Sequence, residues 1–188
     1  MRRILFPIVL AILASGEVSG DTCPEPQDHT ADLDGLIGEI RAAQGEREAR
    51  QIAERMWALW ATAPNDQAQA ILDRGMTRRA AFDYVGALSD FDALVSYCPD
   101  YAEGYNQRAF VNFLRQDFAL ALGDLDRAIA LSPNHIAAIS GRALTLMGLG
   151  RADEARVALQ TAMALNPWLP ERGLAAPGGP LAPLGQDL

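Results

Sequence analysis

The sequence predicts an all-α protein, a solenoid of stacked helical hairpins, and three observations carry that prediction. The first is an internal repeat of 34 residues: Arg108 matches Arg142, Ala109 matches Ala143, Ala121 matches Ala155, and Pro133 matches Pro167. Self-similarity at this period marks a helical solenoid. The second is a row of closing prolines, Pro64, Pro99, Pro133 and Pro167, spaced 35, 34 and 34 residues apart. The third is a helical i, i+4, i+7 stripe, Ala87, Phe91 and Leu94, which recurs as Ala121, Leu125 and Ala128 and again as Ala155, Leu159 and Ala162. Its small residues let two helices approach closely while the larger ones fill the gap.

The chain has 188 residues and is 49% hydrophobic, enough for one domain with a sizeable core. Acidic residues outnumber basic ones, 24 to 16, the net charge is −8, and every basic residue is Arg. Nucleic acid is therefore not expected as a partner, because phosphate binding needs a basic footprint. The short run Arg74, Arg78 and Arg79 is flanked by Asp73 and Asp83 and reads as a solvated helix face.

Residues 1–20 read as a signal peptide. Arg2 and Arg3 precede an apolar run from Ile4 to Ala14, and small residues end at Gly20. The run is short for a bilayer span, so the mature chain is expected to have no stable one. Cleavage near Gly20 would place the protein in the periplasm or outside the cell. Residues 21–32, with Pro24 and Pro26, read as an extended arm. Asp28, His29 and Asp32 lack a rigid spacing that would fix a metal, and no metal or cofactor is expected. Cys23 and Cys98 are the two cysteines, and in an oxidising compartment they are expected to join in a disulfide, the alternative being two free thiols.

Counting back from each proline gives four units within 33–169: a divergent one at 33–66, then 68–101, 102–135 and 136–169. Each divides into two helical runs, with breaks near Gly45, Phe82-Asp83, Gln116-Asp117 and Gly148–Gly150. A unit alone leaves its outer stripe wet, so neighbours must stack. After Pro167 come Pro170, Pro177, Gly178, Gly179, Pro180 and Pro183, and the tail 170–188 is expected to be disordered. The last unit then needs a cover, either a second copy in a homodimer or Leu174, Leu181 and Leu184 of its own tail.

This pattern resembles the tetratricopeptide repeat (TPR), strongly over 68–169 and weakly over 33–66, where Ile40, Ile52, Met56 and Leu59 put larger residues at packing positions. The resemblance implies a right-handed α-solenoid of helix–turn–helix units, with the first helix of each unit facing a concave groove. The implied groove residues of the second unit are Gln69, Leu72, Met76 and Arg79. Those of the third are Glu103, Asn106, Phe110 and Phe113, and those of the last are Ala137, Ser140, Leu144 and Met147. The chain contains no Lys, so the carboxylate-clamping version of the groove is not expected. Leu72, Met76, Phe110, Phe113, Leu144 and Met147, rimmed by Arg79, Glu103 and Asn106, suit an amphipathic helix or an extended apolar peptide. Arg74, Arg108 and Arg142 share one repeat position and Asp90 and Asp124 another, which reads as a helix–helix ion pair.

No nucleophile motif, Gly-rich phosphate loop or metal-ligand cluster is present, and His135 has no acidic neighbour in the sequence; no catalytic residue is assigned. The expected function is that of an exported scaffold binding a protein or peptide, with a fixed structural subunit of a cell-envelope assembly or secretion complex as the alternative.

Overall fold

The structure, a computed structural model, describes residues 22–183, so the signal peptide expected at 1–20 and the cover expected from Leu184 lie outside the described residues. Helices α1 (Thr30–Ala42), α2 (Glu46–Trp60), α3 (Asp66–Ala80), α4 (Tyr84–Tyr97), α5 (Ala102–Leu114), α6 (Phe118–Leu131), α7 (Ile136–Gly148) and α8 (Ala152–Leu165) follow in order. A 3-10 helix, Pro170–Ala175, comes last.

Local chemistry sets the helix ends. Asn65 caps α3 by accepting the Ala68 N–H at 2.9 Å, and Asp83 caps α4 by accepting that of Gly86 at 2.9 Å. The turns inside the three regular hairpins are built alike. Phe82, Gln116 and Gly150, one repeat apart, all have positive φ, at 63°, 64° and 73°. The next residue's N–H then reaches back to the helix, Asp83 to Arg78, Asp117 to Asn112 and Arg151 to Leu146. This is the left-handed helix stop that glycine favours, filled twice here by other residues.

From α3 to α8 the hairpins stack as expected. One core joins Ala68, Leu72, Ala87, Phe91 and Leu94 to Val111 of the next hairpin. The next joins Ala109, Ala121, Leu125 and Ala128 to Ala138, and the last joins Ala143, Leu146, Ala155 and Leu159. Close approach is enforced at Gly75, where an added Cβ would lie 2.5 Å from the Phe91 ring. The repeated ion pairs form both within and between hairpins. Arg74 bonds Asp90 and Arg108 bonds Asp124, each at 2.9 Å from Nε. Arg108 also reaches back to Asp92 at 2.9 Å, and Arg142, whose own hairpin offers Ala158, reaches back to Asp126 at 2.7 Å. The hydrogen bond from Arg108 to Asp124 raises the guanidinium pKa further.

The unit expected at 33–66 forms a hairpin but does not begin the stack. Leu33, Leu36, Ile37, Ile40, Ile52 and Met56 share a core with Ile136, Ile139, Ala162 and Leu169 of the last hairpin. The α1–α2 pair thus lies along the edge formed by the turns between repeats. Arg41 Nε donates to the Ala164 carbonyl at 2.8 Å, Asn134 to Asp34 at 3.1 Å, and Tyr101 Oη to the Trp60 carbonyl at 2.8 Å. The reason is visible on α3, whose outward side carries Gln67, Ala70, Arg74 and Thr77, all exposed. Such a face offers α2 no apolar stripe. The large residues of α1 and α2 find theirs on the last hairpin instead.

Two boundary readings also change. Helix α1 starts at Thr30, so the arm covers 22–29, and a Cys23–Cys98 disulfide fastens it to the end of α4 with the Cα atoms 5.1 Å apart. The tail, expected to be disordered, folds back over 170–183. Leu181 is 1% exposed and packs with Leu174 and Ala175 on the α7–α8 core, Arg156 Nε donates to the Ala182 carbonyl at 3.0 Å, and Leu181 N–H donates to the Leu174 carbonyl at 2.8 Å. Its prolines and glycines prevent a long helix but permit a tight fold-back that buries one leucine. Among the described residues no helix is long and apolar enough to cross a membrane.

Candidate binding groove

The first helices of the repeats, α3, α5 and α7, lie on the concave side, and α5 and α7 floor a cavity of about 390 Å³. Phe110, Phe113 and Leu144 supply its apolar surface, Asn106 and Gln107 its polar side, and Arg79 its cation. Phe110 is 44% exposed, although its ring carries the Arg79 guanidinium 4.8 Å above its centroid. Phe113 leans on Phe118 at 5.6 Å between ring centroids, which fixes its position in the wall. Partial burial lowers the Arg79 pKa, and the nearby Glu103 carboxylate opposes that shift.

Parts of the chain outside α3–α8 also line the cavity: Trp57 of α2, and Leu169, Pro170 and Glu171 after α8. Five polar side chains around it or near it are spent internally. Arg79 donates to the Gln107 side-chain carbonyl, and Gln107 donates in turn to Glu103. Asn106 donates to the other Glu103 oxygen at 3.0 Å. That oxygen also lies 2.8 Å from His135 Nε2, while His135 Nδ1 accepts the Ala138 N–H at 3.3 Å and so caps α7. The ring is therefore the tautomer that carries its proton on Nε2. Trp60 stacks on it at 4.4 Å. Burial, with Glu103 next, pushes the Tyr101 phenol pKa up.

Three other atoms keep their capacity. Ser140 Oγ, Thr145 Oγ1 and Glu171 Oε2 are buried and have no hydrogen-bond partner among the described residues. Thr62, Thr77 and Thr161 show the ordinary alternative, each donating to the carbonyl four residues back at 2.8, 2.8 and 2.9 Å. Ser140 and Thr145 make no such bond, and both line the cavity.

Of the expected groove residues, Arg79, Asn106, Phe110, Phe113, Ala137, Ser140 and Leu144 line the cavity together. Gln69, Leu72, Met76, Glu103 and Met147 do not. Leu72 is fully buried between α3 and α4, and Met76 packs on the same core. Met147 packs on the α7–α8 core. Glu103 is 1% exposed, because Trp60 and His135 roof the first turn of α5. His135 does have an acidic partner, 32 residues away in the chain. Trp57, Gln107, Thr145 and Glu171 went unread. Glu171 stands 34 residues after Ala137, so carrying the repeat register into the tail would have found it. Nothing in the sequence signalled Trp57, which arrives through the displaced hairpin.

Comparison with known proteins agrees with this architecture. A family model described as tetratricopeptide repeat matches residues 113–168. Human tetratricopeptide repeat protein 36 is 31% identical over 135 residues, 70% of this chain and 69% of its own length. A TPR repeat-containing protein of Rhizobium etli is 27% identical over 128 residues, 63% of this chain and 58% of that protein. A tetratricopeptide repeat protein 36 homolog of Nematostella vectensis is 43% identical over 65 residues, 35% of this chain and 36% of that one. The chain thus spans well under two thirds of the last two. Among solved structures, the Arabidopsis OM64 TPR domain superposes with a TM-score of 0.57 at 18% identity, over 58% of this chain and 91% of that domain. The first TPR of Spaghetti (RPAP3), bound to the HSP90 peptide SRMEEVD, gives 0.56 at 23% identity, over 58% and 87%.

Proposed function

Because this chain belongs to the tetratricopeptide repeat family, we propose that it is a protein-interaction scaffold whose α5–α7 groove holds a short apolar segment of a partner polypeptide. The observation that carries this reading is the groove itself: Phe110, Phe113 and Leu144 beside buried, unpaired hydroxyls in about 390 Å³. Hydrogen bonding favours an extended segment over a helix, since an extended segment carries free backbone amides along its length and a helix only in its first turn. The RPAP3 domain holds a peptide on this fold, which supports a polypeptide as ligand. A chaperone tail of that kind is not proposed, because this chain has no Lys with which to clamp it.

Export to the periplasm or beyond belongs to the same proposal. The basic, apolar and small-residue order of residues 1–20 supports it, and a Cys23–Cys98 disulfide suits an oxidising compartment. Intact-mass measurement of natively expressed protein should find a chain beginning at or near Asp21; a full-length cytosolic chain ends the export reading.

The groove is tested by placing p-benzoylphenylalanine at Leu144, and separately at Val157, which is 63% exposed on α8. Photo-crosslinking in intact cells followed by mass spectrometry should join a partner to the first and not the second. The double change Phe110→Ala and Phe113→Ala should remove that product. Equal yields from both positions, or yields indifferent to the double change, place the contact elsewhere.

A further inference from the structure

We infer that the end of the groove bounded by Trp57, Pro170 and Glu171 is a subsite for a basic side chain, Lys or Arg, of the extended partner segment. This inference rests on the groove reading above and adds the charge of the ligand to it. Glu171 Oε2 is the one buried carboxylate oxygen without a partner among the described residues. A buried carboxylate oxygen left unpaired is costly, so its position calls for a donor. The nearest cation in sequence, Arg172, is committed elsewhere. Its Nη1 donates to the Trp168 and Leu169 carbonyls at 3.1 and 3.0 Å, and its Nη2 pairs with Glu46.

The surroundings fit a cation. Trp57 lines the same cavity, and an indole ring is the preferred aromatic partner of an ammonium or guanidinium group. Arg79, the cation lining the cavity among the described residues, belongs to α3, whereas Glu171 follows α8, at the other end of the order of repeat helices. Arg79 is moreover held by Gln107. The net charge of −8 draws basic segments toward the protein as a whole.

The test uses the mature, oxidised chain and a bead library of N-acetylated, C-amidated hexapeptides built from Phe, Leu, Ala, Ser, Lys and Glu. Blocking both ends removes free amino and carboxyl groups as competing sources of charge. Bound sequences should favour Lys over Glu at one position by roughly tenfold, the scale of a charge-assisted hydrogen bond. The isosteric Glu171→Gln should erase that preference while the apolar positions stay selected. Phe110→Ala with Phe113→Ala should abolish selection altogether. Apolar selection with no preference for Lys, or a preference that survives Glu171→Gln, overturns the basic subsite and leaves the groove. Absence of any selection that depends on Phe110 and Phe113 overturns both.

Discussion

The α1–α2 and α3–α4 hairpins are built to nearly one specification: helices of 13 and 15 residues in the first, 15 and 14 in the second, each followed by a proline. One lies along the edge of the array and the other founds it. The difference sits in side-chain size and in the neighbouring face. Gly75 and Ala87 let α3 and α4 close on Phe91, and Val111 of α5 continues that core. Ile40, Ile52 and Met56 hold α1 and α2 to a different surface, the end of the last hairpin. Spacing therefore encodes a hairpin, and the small-residue stripe encodes where it stacks.

The sharpest way to separate the two regions is to cut the staple. Changing Cys23 and Cys98 to Ser opens a loop with a sequence separation of 75. In the chain-entropy model that costs about 4 kcal/mol. Urea titration should show a loss of this order, and hydrogen exchange should rise in α1 and α2 well before α3 to α8. Uniform deprotection along the chain would mean that the edge hairpin and the array form one cooperative unit.

Ile40→Ala comes next, at about 3 kcal/mol for a fully buried aliphatic side chain. Its coupling tells more than its size. Paired with Ile139→Ala in a double-mutant cycle, it should show an interaction of about 1 kcal/mol, since both belong to one core. Paired with Leu72→Ala, it should be additive. Coupling to Leu72 instead would put the hairpin back on α3.

At the other end of the array, Leu181→Ala should cost about 2 kcal/mol, the low end for deleting a buried leucine. A chain stopped at Leu169 should self-associate in sedimentation, because the α7–α8 core loses the residue that seals it. A stable monomer with unchanged melting would show that the fold-back covers nothing of consequence. The smallest effect is expected at Phe82→Gly. Phe82 is 79% exposed in a left-handed backbone, so relief of that conformation should stabilise the protein by about 1 kcal/mol, read as a rise in Tm.

Most of the array was legible because one period sets everything in it. The units expected at 102 and 136 coincide with the starts of α5 and α7, and the period fixes the rotation that points Phe110, Phe113 and Leu144 into the groove. What failed lies where the period stops governing. Leu72 and Met76 sit on the founding helix, where the same positions are spent on the α3–α4 core. Glu103 follows the rule in rotation but is roofed by Trp60, whose placement depends on contacts with residues far along the chain. Compositional signals misled in the tail, since proline and glycine forbid a long helix without forbidding a packed turn.

The edge hairpin also sets a timetable. In a plain solenoid each repeat touches only its neighbours, so structure can begin at either end and spread. Here Arg41 meets Ala164 across 123 residues, and Glu46 meets Arg172 across 126. Of the helices described, α1 and α2 emerge first, from a ribosome or an export channel alike, and their partner surface on α7 and α8 emerges last. Their apolar face stays uncovered until α8 and Leu169 have emerged, and long-range closure of this kind slows folding. The hairpin is thus the final piece to dock, and once docked it ties α1 and α2 to α7 and α8 across an array whose interior needs no such tie.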